Sequence, residues 1–506
     1  MNRQSMLHRL NAETVWDIVI IGGGATGLGA ALDGASRGYA VLLVEQCDFG
    51  KGTSSRSTKL VHGGVRYLEQ GNLKLVKEAL RERGYLLKNA PHLTSVQTFI
   101  LPLFSWWQKW YYAIGLKLYD LLSGKLSVGK TKLLSRKETM ARLPSIEPAK
   151  LAGSVMYYDG QFDDSRLCIE LAATASDYGA TLINYCRAAG FEKGEKGKIK
   201  GVKITDVLSG NTHTVRAKAF INATGVFTDE VLQMDDHLRH DIVAPSQGIH
   251  LVVEKNLFPG QDAMIIPKTD DGRVLFAVPW HNHIVLGTTD TPVEAVSLEP
   301  KPMEEEIEFI ITHINRYSTI AISRKDVKAV FAGLRPLVKV SGPKNTALLS
   351  RDHTLIVSPS GLVTVTGGKW TTYRKMAEDA IDNAVFITKQ TKKNCHTTHL
   401  RIGNERDRAV KIKAIIDSSP EASSLLHPAF SYTIADVIFA ARFEMAQTTE
   451  DVLARRTRFL FLDAKVAVDI APLVTDTLAR ELNKDENWKS EQLQSFKTLA
   501  QQYILS

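Results

Sequence analysis

Cysteine is scarce in this chain, with four residues in 506: Cys47, Cys168, Cys186 and Cys395. They lie far apart and form neither a CxxC nor a Cys/His zinc spacing. That excludes a disulfide miniprotein and fits buried thiols in a reducing compartment. Long apolar runs are also missing. No window holds 18 uninterrupted apolar residues, so no transmembrane helix is expected. The N-terminus lacks the apolar core of a signal peptide, because Arg3, His8, Arg9, Asn11 and Glu13 interrupt it. No internal repeat or low-complexity segment stands out. A large excess of one charge is absent too: 63 Lys and Arg stand against 55 Asp and Glu, a surplus of +8. This modest surplus favours anionic partners, whether phosphorylated metabolites, lipid head groups or nucleic acid, without choosing among them.

What is present is ordinary in bulk and specific in detail. Apolar residues make up 44% and charged residues 23%, as in a folded protein. A single core rarely grows past roughly 250–300 residues, so two or three domains are expected. Val15 to Ile21 reads VWDIVII, a run suited to a strand buried on both faces. Gly22-Gly23-Gly24-Ala25-Thr26-Gly27 follows as GxGxxG. A helix through Ala30, Ala31 and Leu32 comes next, then a second apolar run, Val41 to Val44, ending at Glu45. Gly22 permits the tight turn, Gly24 admits a pyrophosphate, and Gly27 lets helix and strand pack closely. The helix N-terminus offers N–H groups and partial positive charge to phosphates. Glu45 is placed to accept from ribose hydroxyls, and an acid there disfavours NADP.

The motif alone does not separate FAD from NAD. Gly52 to Glu69 reads GTSSRSTKLVHGGVRYLE, dense in hydroxyls and glycines, and could continue along a long ligand such as FAD. Two further pieces favour FAD. Ile199 to Gly225 reads as short strands ending in an apolar strand and Ala223-Thr224-Gly225. Leu362 to Lys375 reads as a strand, a Gly-Gly turn and a helix whose amides could face a ligand. Between them, Asp241 to Asp290 alternates as hairpins of an antiparallel sheet, with turns at Asp270-Asp271-Gly272 and His281-Asn282-His283.

With these residues in view, the chain resembles the FAD-dependent (aerobic, respiratory) glycerol-3-phosphate dehydrogenases. The resemblance rests on Gly22 to Glu45, GTSSRSTKLVHGGVRYLE, Asn222 to Gly225, Gly333-Leu334-Arg335-Pro336-Leu337, Ser350-Arg351-Asp352, Gly367-Gly368-Lys369 and Glu450 to Thr457, in that order along nearly the whole chain. It implies an α/β flavoprotein: a Rossmann-type, D-amino-acid-oxidase-like FAD domain, an antiparallel substrate domain and a C-terminal helical cap. It further implies oxidation of sn-glycerol 3-phosphate to dihydroxyacetone phosphate, with electrons passing to a quinone. The alternative is an oxygen-using glycerol-3-phosphate oxidase or a related FAD-dependent amine or hydroxyl oxidase. The absence of an obvious spare segment favours the dehydrogenase.

The resemblance also implies roles. FAD is expected against Gly22, Gly24, Ala25, Thr26, Gly27, Glu45, Gly52, Thr53, Ser54, Ser57, Lys59, Leu60, His62, Ala188, Thr224, Gly225, Gly368 and Lys369. Arg66, Tyr67, Arg335, Arg351 and Lys369 match the family's polar pocket, where arginine can grip a phosphate bidentately. Among 14 histidines the motif picks His250 as the base that takes the C2 hydroxyl proton, with Arg335 stabilising the alkoxide. A buried structural histidine is the competing reading of His250.

Other signals are set aside or left open. Gly124 to Thr131 matches GxxxxGK[ST], but the stretch before it has helical spacing where a P-loop needs a strand. Leu101 to Leu122 holds three of seven Trp, and residues 101–140 carry a local +5, the composition of a membrane-interface element. Arg455, Arg456 and Arg458 in the cap could touch anionic lipid or form a solvated face. The resemblance implies a quinone-linked enzyme, and one without a transmembrane helix is expected to be cytoplasmic, peripheral on the inner face of the cytoplasmic membrane. No RNA-binding module is recognised, so nucleic acid is not an expected partner, and a homodimer is left open. The expected segments are 1–95, 161–230 and 346–388 for the FAD domain, 96–160 for substrate and cap elements, 231–345 for the substrate-binding domain, and 389–506 for the helical cap.

Overall fold

The computed structural model describes residues 1–64, 72–267, 269–339 and 353–505, leaving aside the side chains of Trp106 and Lys109. Trp16–Ile21 sits at the centre of a parallel sheet, with Val41–Val44 on one side and Thr212–Asn222 on the other. Its apolar residues and all of Val41–Val44 are buried, which is why both strands read as continuous hydrophobic runs. Thr181–Ile183 extends the sheet beyond Val41–Val44, and Leu362–Gly367 extends it beyond Thr212–Asn222. His353–Val357 is an antiparallel edge. From the central strand the chain first builds one side, then returns to the other. A crevice therefore opens at the C-terminal ends of Trp16–Ile21 and Thr212–Asn222, as topology dictates at a switch point. Helix Ala25–Ser36 packs between Asp164–Asp177 and Tyr373–Ile387.

The second sheet is largely antiparallel. Val243–Glu254 pairs with Val327–Val338 on one side and with Thr291–Pro292 and His283–Gly287 on the other. Leu275–Trp280, Ala263–Ile266, Thr94–Leu103, Gly153–Phe162 and Leu60–Val61 continue it. The hairpins expected between 241 and 290 are present, and the tightest turns at His281-Asn282, both at positive φ, as a two-residue hairpin of this twist requires. Ile249, Leu251 and Val253 face helix Glu304–Asn315. His250 and Val252 point to the opposite face. Leu60–Val61 and the start of Thr94–Leu103 belong to this sheet, although they fall within the segment expected for the FAD domain.

The C-terminal helices Glu405–Ser418, Ile434–Phe443, Ala464–Leu482 and Glu486–Ala500 follow residues 389–404, which hold no helix or strand. They do not stand apart. Leu453, Phe459, Phe461 and Val474 share one apolar cluster with Val252, Trp280, Val285, Ala329 and Phe331 of the second sheet. The cap thus covers part of the face that carries His250. Among the described residues no helix is long and apolar enough to cross a membrane.

Candidate active site

The glycine turn shapes the crevice. Gly22 has φ +110°, and a methyl there would sit 2.6 Å from the Ala223 carbonyl oxygen. Only glycine permits that backbone against the neighbouring strand. A methyl on Gly27 would overlap the Gly22 carbonyl, so Gly27 serves the close packing of helix on strand and does not line the crevice. Helix Ala25–Ser36 points its N-terminus into the space, and Gly24, Ala25 and Thr26 line it. This is the cradle a pyrophosphate needs. Glu45 also lines it, but its carboxylate already accepts from the Gly23 and Cys47 N–H groups at 2.6 and 2.8 Å. Burial raises its pKa and these two bonds oppose the shift. Its remaining lone pairs are what a ribose hydroxyl could use.

Gly52, Thr53, Ser54, Ala188, Thr224, Gly225, Gly368 and Lys369 line the same crevice, so thirteen of the eighteen residues expected at the cofactor meet there. Besides Gly27, Ser57, Lys59, Leu60 and His62 do not. Leu60 is paired with Gln161 in the second sheet, and the His62 backbone is bonded in both directions to the Thr371 hydroxyl. The hydroxyls of 53–58 bind protein more than they face the crevice. Thr53 donates to the Leu334 carbonyl, Ser54 accepts from the Ala25 N–H, Ser55 donates to the Gly50 carbonyl and Ser57 donates to Asp164. Lys59, at φ +64°, turns its ammonium to Asp164 (2.7 Å) and the Ser55 carbonyl (2.9 Å), among the rings of Trp280, Phe331 and Phe461. Burial pushes its pKa down to about 7 against the pull of Asp164.

Behind this loop stands an ionic clasp that corrects one expectation. Arg455, Arg456 and Arg458 form neither a lipid-facing nor a solvated patch; each is at most 3% exposed. Arg455 and Arg456 close on Asp48, Arg455 also on Glu450 and Asp451, and Arg458 donates to Asp164 and the Ser55 carbonyl. Lys51 joins Glu450, and Arg56 joins Glu299. Arg456 and Arg455 hold the carboxyl of Asp48 below its usual range, and Arg455 with Lys51 brings Glu450 down to about 2, despite burial in both cases. Asp451 is raised, by burial first and then by Asp48. The segment carrying Arg455 and Arg456, Asp451–Arg456, is a π-helical turn, a geometry met mostly at functional sites.

His250 and Arg335 come together through strand register. His250 lies opposite Phe331, Gly248 opposite Gly333, and Ser246 opposite Arg335. Directly opposed residues of an antiparallel pair share a face, so His250 and Arg335 flank a floor made of two glycines. The floor is needed: a methyl on Gly248 would strike the Arg335 guanidinium, and one on Gly333 would lie 2.8 Å from Arg56 Cβ. Arg335 is fixed by Asp290 (3.1 Å), Thr288 Oγ1 (3.1 Å) and the Gln247 and Thr289 carbonyls (3.3 and 3.0 Å). His250 is 2% exposed, stacks on Phe331 at 4.9 Å and 20°, and has Nε2 2.9 Å from Thr58 Oγ1. Burial, followed by Lys59 and Arg335, holds its imidazole well below the usual histidine range. It is therefore neutral near pH 7, as a base must be. Arg66, Tyr67 and Arg351 lie outside the described residues.

Several lining residues carry no signal in the sequence. Gln46, Arg187, Glu230, Met234, Leu298 and Met376 reach the crevice only because distant strands and helices meet there. Pro336 and Trp370 also line it, and both sit inside segments quoted for neighbouring residues. At Gly124 the chain leaves helix Trp106–Ser123 through one 3-10 turn and enters strand Lys132–Leu134, so no strand precedes the P-loop-like stretch.

Comparison with known proteins bears on this site directly. The model of the FAD dependent oxidoreductase family matches residues 17–374, and that of the C-terminal domain of alpha-glycerophosphate oxidase matches 365–489. The mitochondrial glycerol-3-phosphate dehydrogenase of Macaca fascicularis is 39% identical over 98% of this chain and 74% of its own length. Its Arabidopsis thaliana counterpart, SDP6, is 37% identical over 98% of this chain and 87% of its own. A glycerol-3-phosphate dehydrogenase from Bacillus halodurans, solved in complex with FAD, superposes with a TM-score of 0.80 at 28% identity, covering 99% of this chain and 98% of that one. FAD is the cofactor of this family, and the crevice has the glycine turn, helix end and acid to hold it. Likeness this long, across both the crevice and the cap, makes the chain a member of the FAD-dependent glycerol-3-phosphate dehydrogenase family.

Proposed function

We propose that the protein oxidises sn-glycerol 3-phosphate to dihydroxyacetone phosphate and passes the electrons to a membrane quinone. The observation that carries the reading is the His250–Arg335 pair, facing one way across a glycine floor beside the flavin loop. Bound FAD supplies the acceptor for the C2 hydride. The chain supplies the rest. His250, kept neutral by burial, takes the C2 hydroxyl proton, and Arg335, immobilised by Asp290, places a fixed cation where the alkoxide develops. Lys369, at the crevice, together with Arg66, Tyr67 and Arg351, belongs to the same proposed pocket and serves the phosphate.

The quinone reading is supported by one surface. Helix Trp106–Ser123 buries Ala113, Leu116 and Tyr119 but exposes Trp107, Trp110, Tyr111, Ile114, Leu118 and Leu121 as a continuous stripe. Lys117, Lys125, Lys130 and Lys132 lie exposed along and just beyond it. Aromatic and aliphatic residues flanked by lysines suit a peripheral contact with an anionic bilayer. A second reading, transfer to dioxygen, is favoured by the cap's match to the alpha-glycerophosphate oxidase domain.

Anaerobic mixing of the flavin-loaded enzyme with glycerol 3-phosphate tests both. Bleaching of the flavin band, reversed by a soluble quinone with little peroxide formed in air, is the expected result. Stoichiometric peroxide would select the oxidase, and a flavin that stays oxidised would overturn the substrate assignment. In the same assay His250→Ala should slow bleaching by about 10²–10⁴-fold while retaining FAD.

A further inference from the structure

The loop that lines the cofactor crevice also holds His250. Ser54 is its last residue in the crevice, and four positions on, Thr58 brings its hydroxyl within 2.9 Å of His250 Nε2. The other ring nitrogen, Nδ1, is buried and meets no hydrogen-bond partner among the described residues. Thr58 is therefore the one polar hold on this imidazole there. Apolar packing fixes only the plane: one face stacks on Phe331, and Gly287, opposite His250 on the neighbouring strand, leaves room for a ring edge that a methyl would meet at 2.6 Å. Stacking leaves the ring free to turn within its plane. A hydroxyl bonded to Nε2 fixes that rotation, and because a hydroxyl can donate or accept it holds the ring in one orientation in either tautomer.

Thr58 is itself firmly placed. Ser57 before it is bonded twice to Asp164, through its backbone N–H and its hydroxyl. Lys59 after it is ion-paired to the same carboxylate, which also accepts from Arg458 of the cap. Asp164 is fully buried, so this anchorage resists displacement.

We propose that Thr58 is the positioning residue for His250, setting the imidazole's orientation from the loop that cradles the cofactor. The proposal rests on His250 being the base, as argued above. Thr58→Val keeps the shape and removes the hydroxyl; Thr58→Ser keeps the hydroxyl. In anaerobic stopped flow with glycerol 3-phosphate, the valine variant should lose about 10–100-fold in limiting flavin reduction with substrate affinity within about twofold, and the serine variant should recover most of the rate.

The double variant with His250→Ala should be no slower than His250→Ala alone, because Thr58 acts through the ring. An additive loss would assign Thr58 an independent structural role and overturn the proposal. So would a valine variant that loses its flavin, or one that reduces at the wild-type rate while His250→Ala is slow; in that last case the assignment of the base stands. Wild-type reduction in both single variants would remove His250 as the base, and the proposal with it.

Discussion

At the scale of single residues, the site depends on what side chains are kept out as much as on what they offer. Gly22, Gly248 and Gly333 each border a group that a methyl would strike. Gly22→Ala places a methyl 2.6 Å from the Ala223 carbonyl at φ +110°, so it should cost about 1–3 kcal/mol and weaken flavin retention. Denaturant midpoints and the flavin-to-protein absorbance ratio read both effects, and an alanine variant as stable and as yellow as wild type would refute the role given to the turn. This residue was legible from sequence, because GxGxxG between two apolar runs leaves few alternatives. The glycine floor was not, since it exists only when Gly248 and Gly333 are brought into register.

At the scale of elements, the flavin loop and the π-helical turn Asp451–Arg456 act as one unit. Arg455 serves Asp48, Glu450 and Asp451 together, all buried or largely so. Arg455→Met leaves three acids short of a cation and should cost about 3–5 kcal/mol. Urea titration of the holoprotein should show the loss in midpoint. The acid limb of stability follows from the same cluster. Glu450 is brought from an ordinary 4.5 to about 2, so its contribution is complete above pH 4.5 and is lost as pH falls toward 2. Wild type should therefore destabilise steeply through that window, and Glu450→Gln should flatten the slope. An unchanged slope would mean that the glutamate titrates normally. From composition, three clustered arginines read as surface charge. Their burial is decided by Asp48 and Asp164, which lie some 300 to 400 residues away in the chain and give them carboxylate partners.

At the scale of the whole molecule, cofactor and cap should be coupled. Residues 50–54 line the crevice; Lys51 among them, and the adjoining residues 48 and 55, are bonded to 450–458. Stripping FAD should raise hydrogen exchange at both 48–59 and 450–458, and restoring flavin at 100 times its Kd should return about 2.7 kcal/mol of stability. Protection changing in the loop alone would uncouple the two. The exposed stripe of Trp106–Ser123 belongs to this scale also. Each large side chain withdrawn from a bilayer interface removes on the order of 1 kcal/mol. Replacing Trp107, Trp110, Ile114 and Leu121 by serine should therefore weaken sedimentation with anionic vesicles by about 100-fold or more, leaving flavin reduction in solution unchanged. Equal binding by the variant would reject this helix as the contact.

By itself the sequence determined the dinucleotide turn, the parallel strands around it, the hairpins of the second sheet and the residue types of the chemistry. Those features are local: a two- or three-residue turn and a run of one periodicity need no distant partner to be read. Only the tertiary structure decided which hydroxyls of the Gly52–Leu60 loop serve the protein and which border the crevice, that Lys59 turns away to Asp164, and that the cap's arginines lie inside. The direction of a polar side chain is set by where its partners come to rest, and here those partners arrive from segments more than a hundred residues distant. The exposed stripe Trp107, Trp110, Tyr111, Ile114, Leu118 and Leu121 is interrupted in the chain by polar and by buried residues, and it is continuous only on the folded helix.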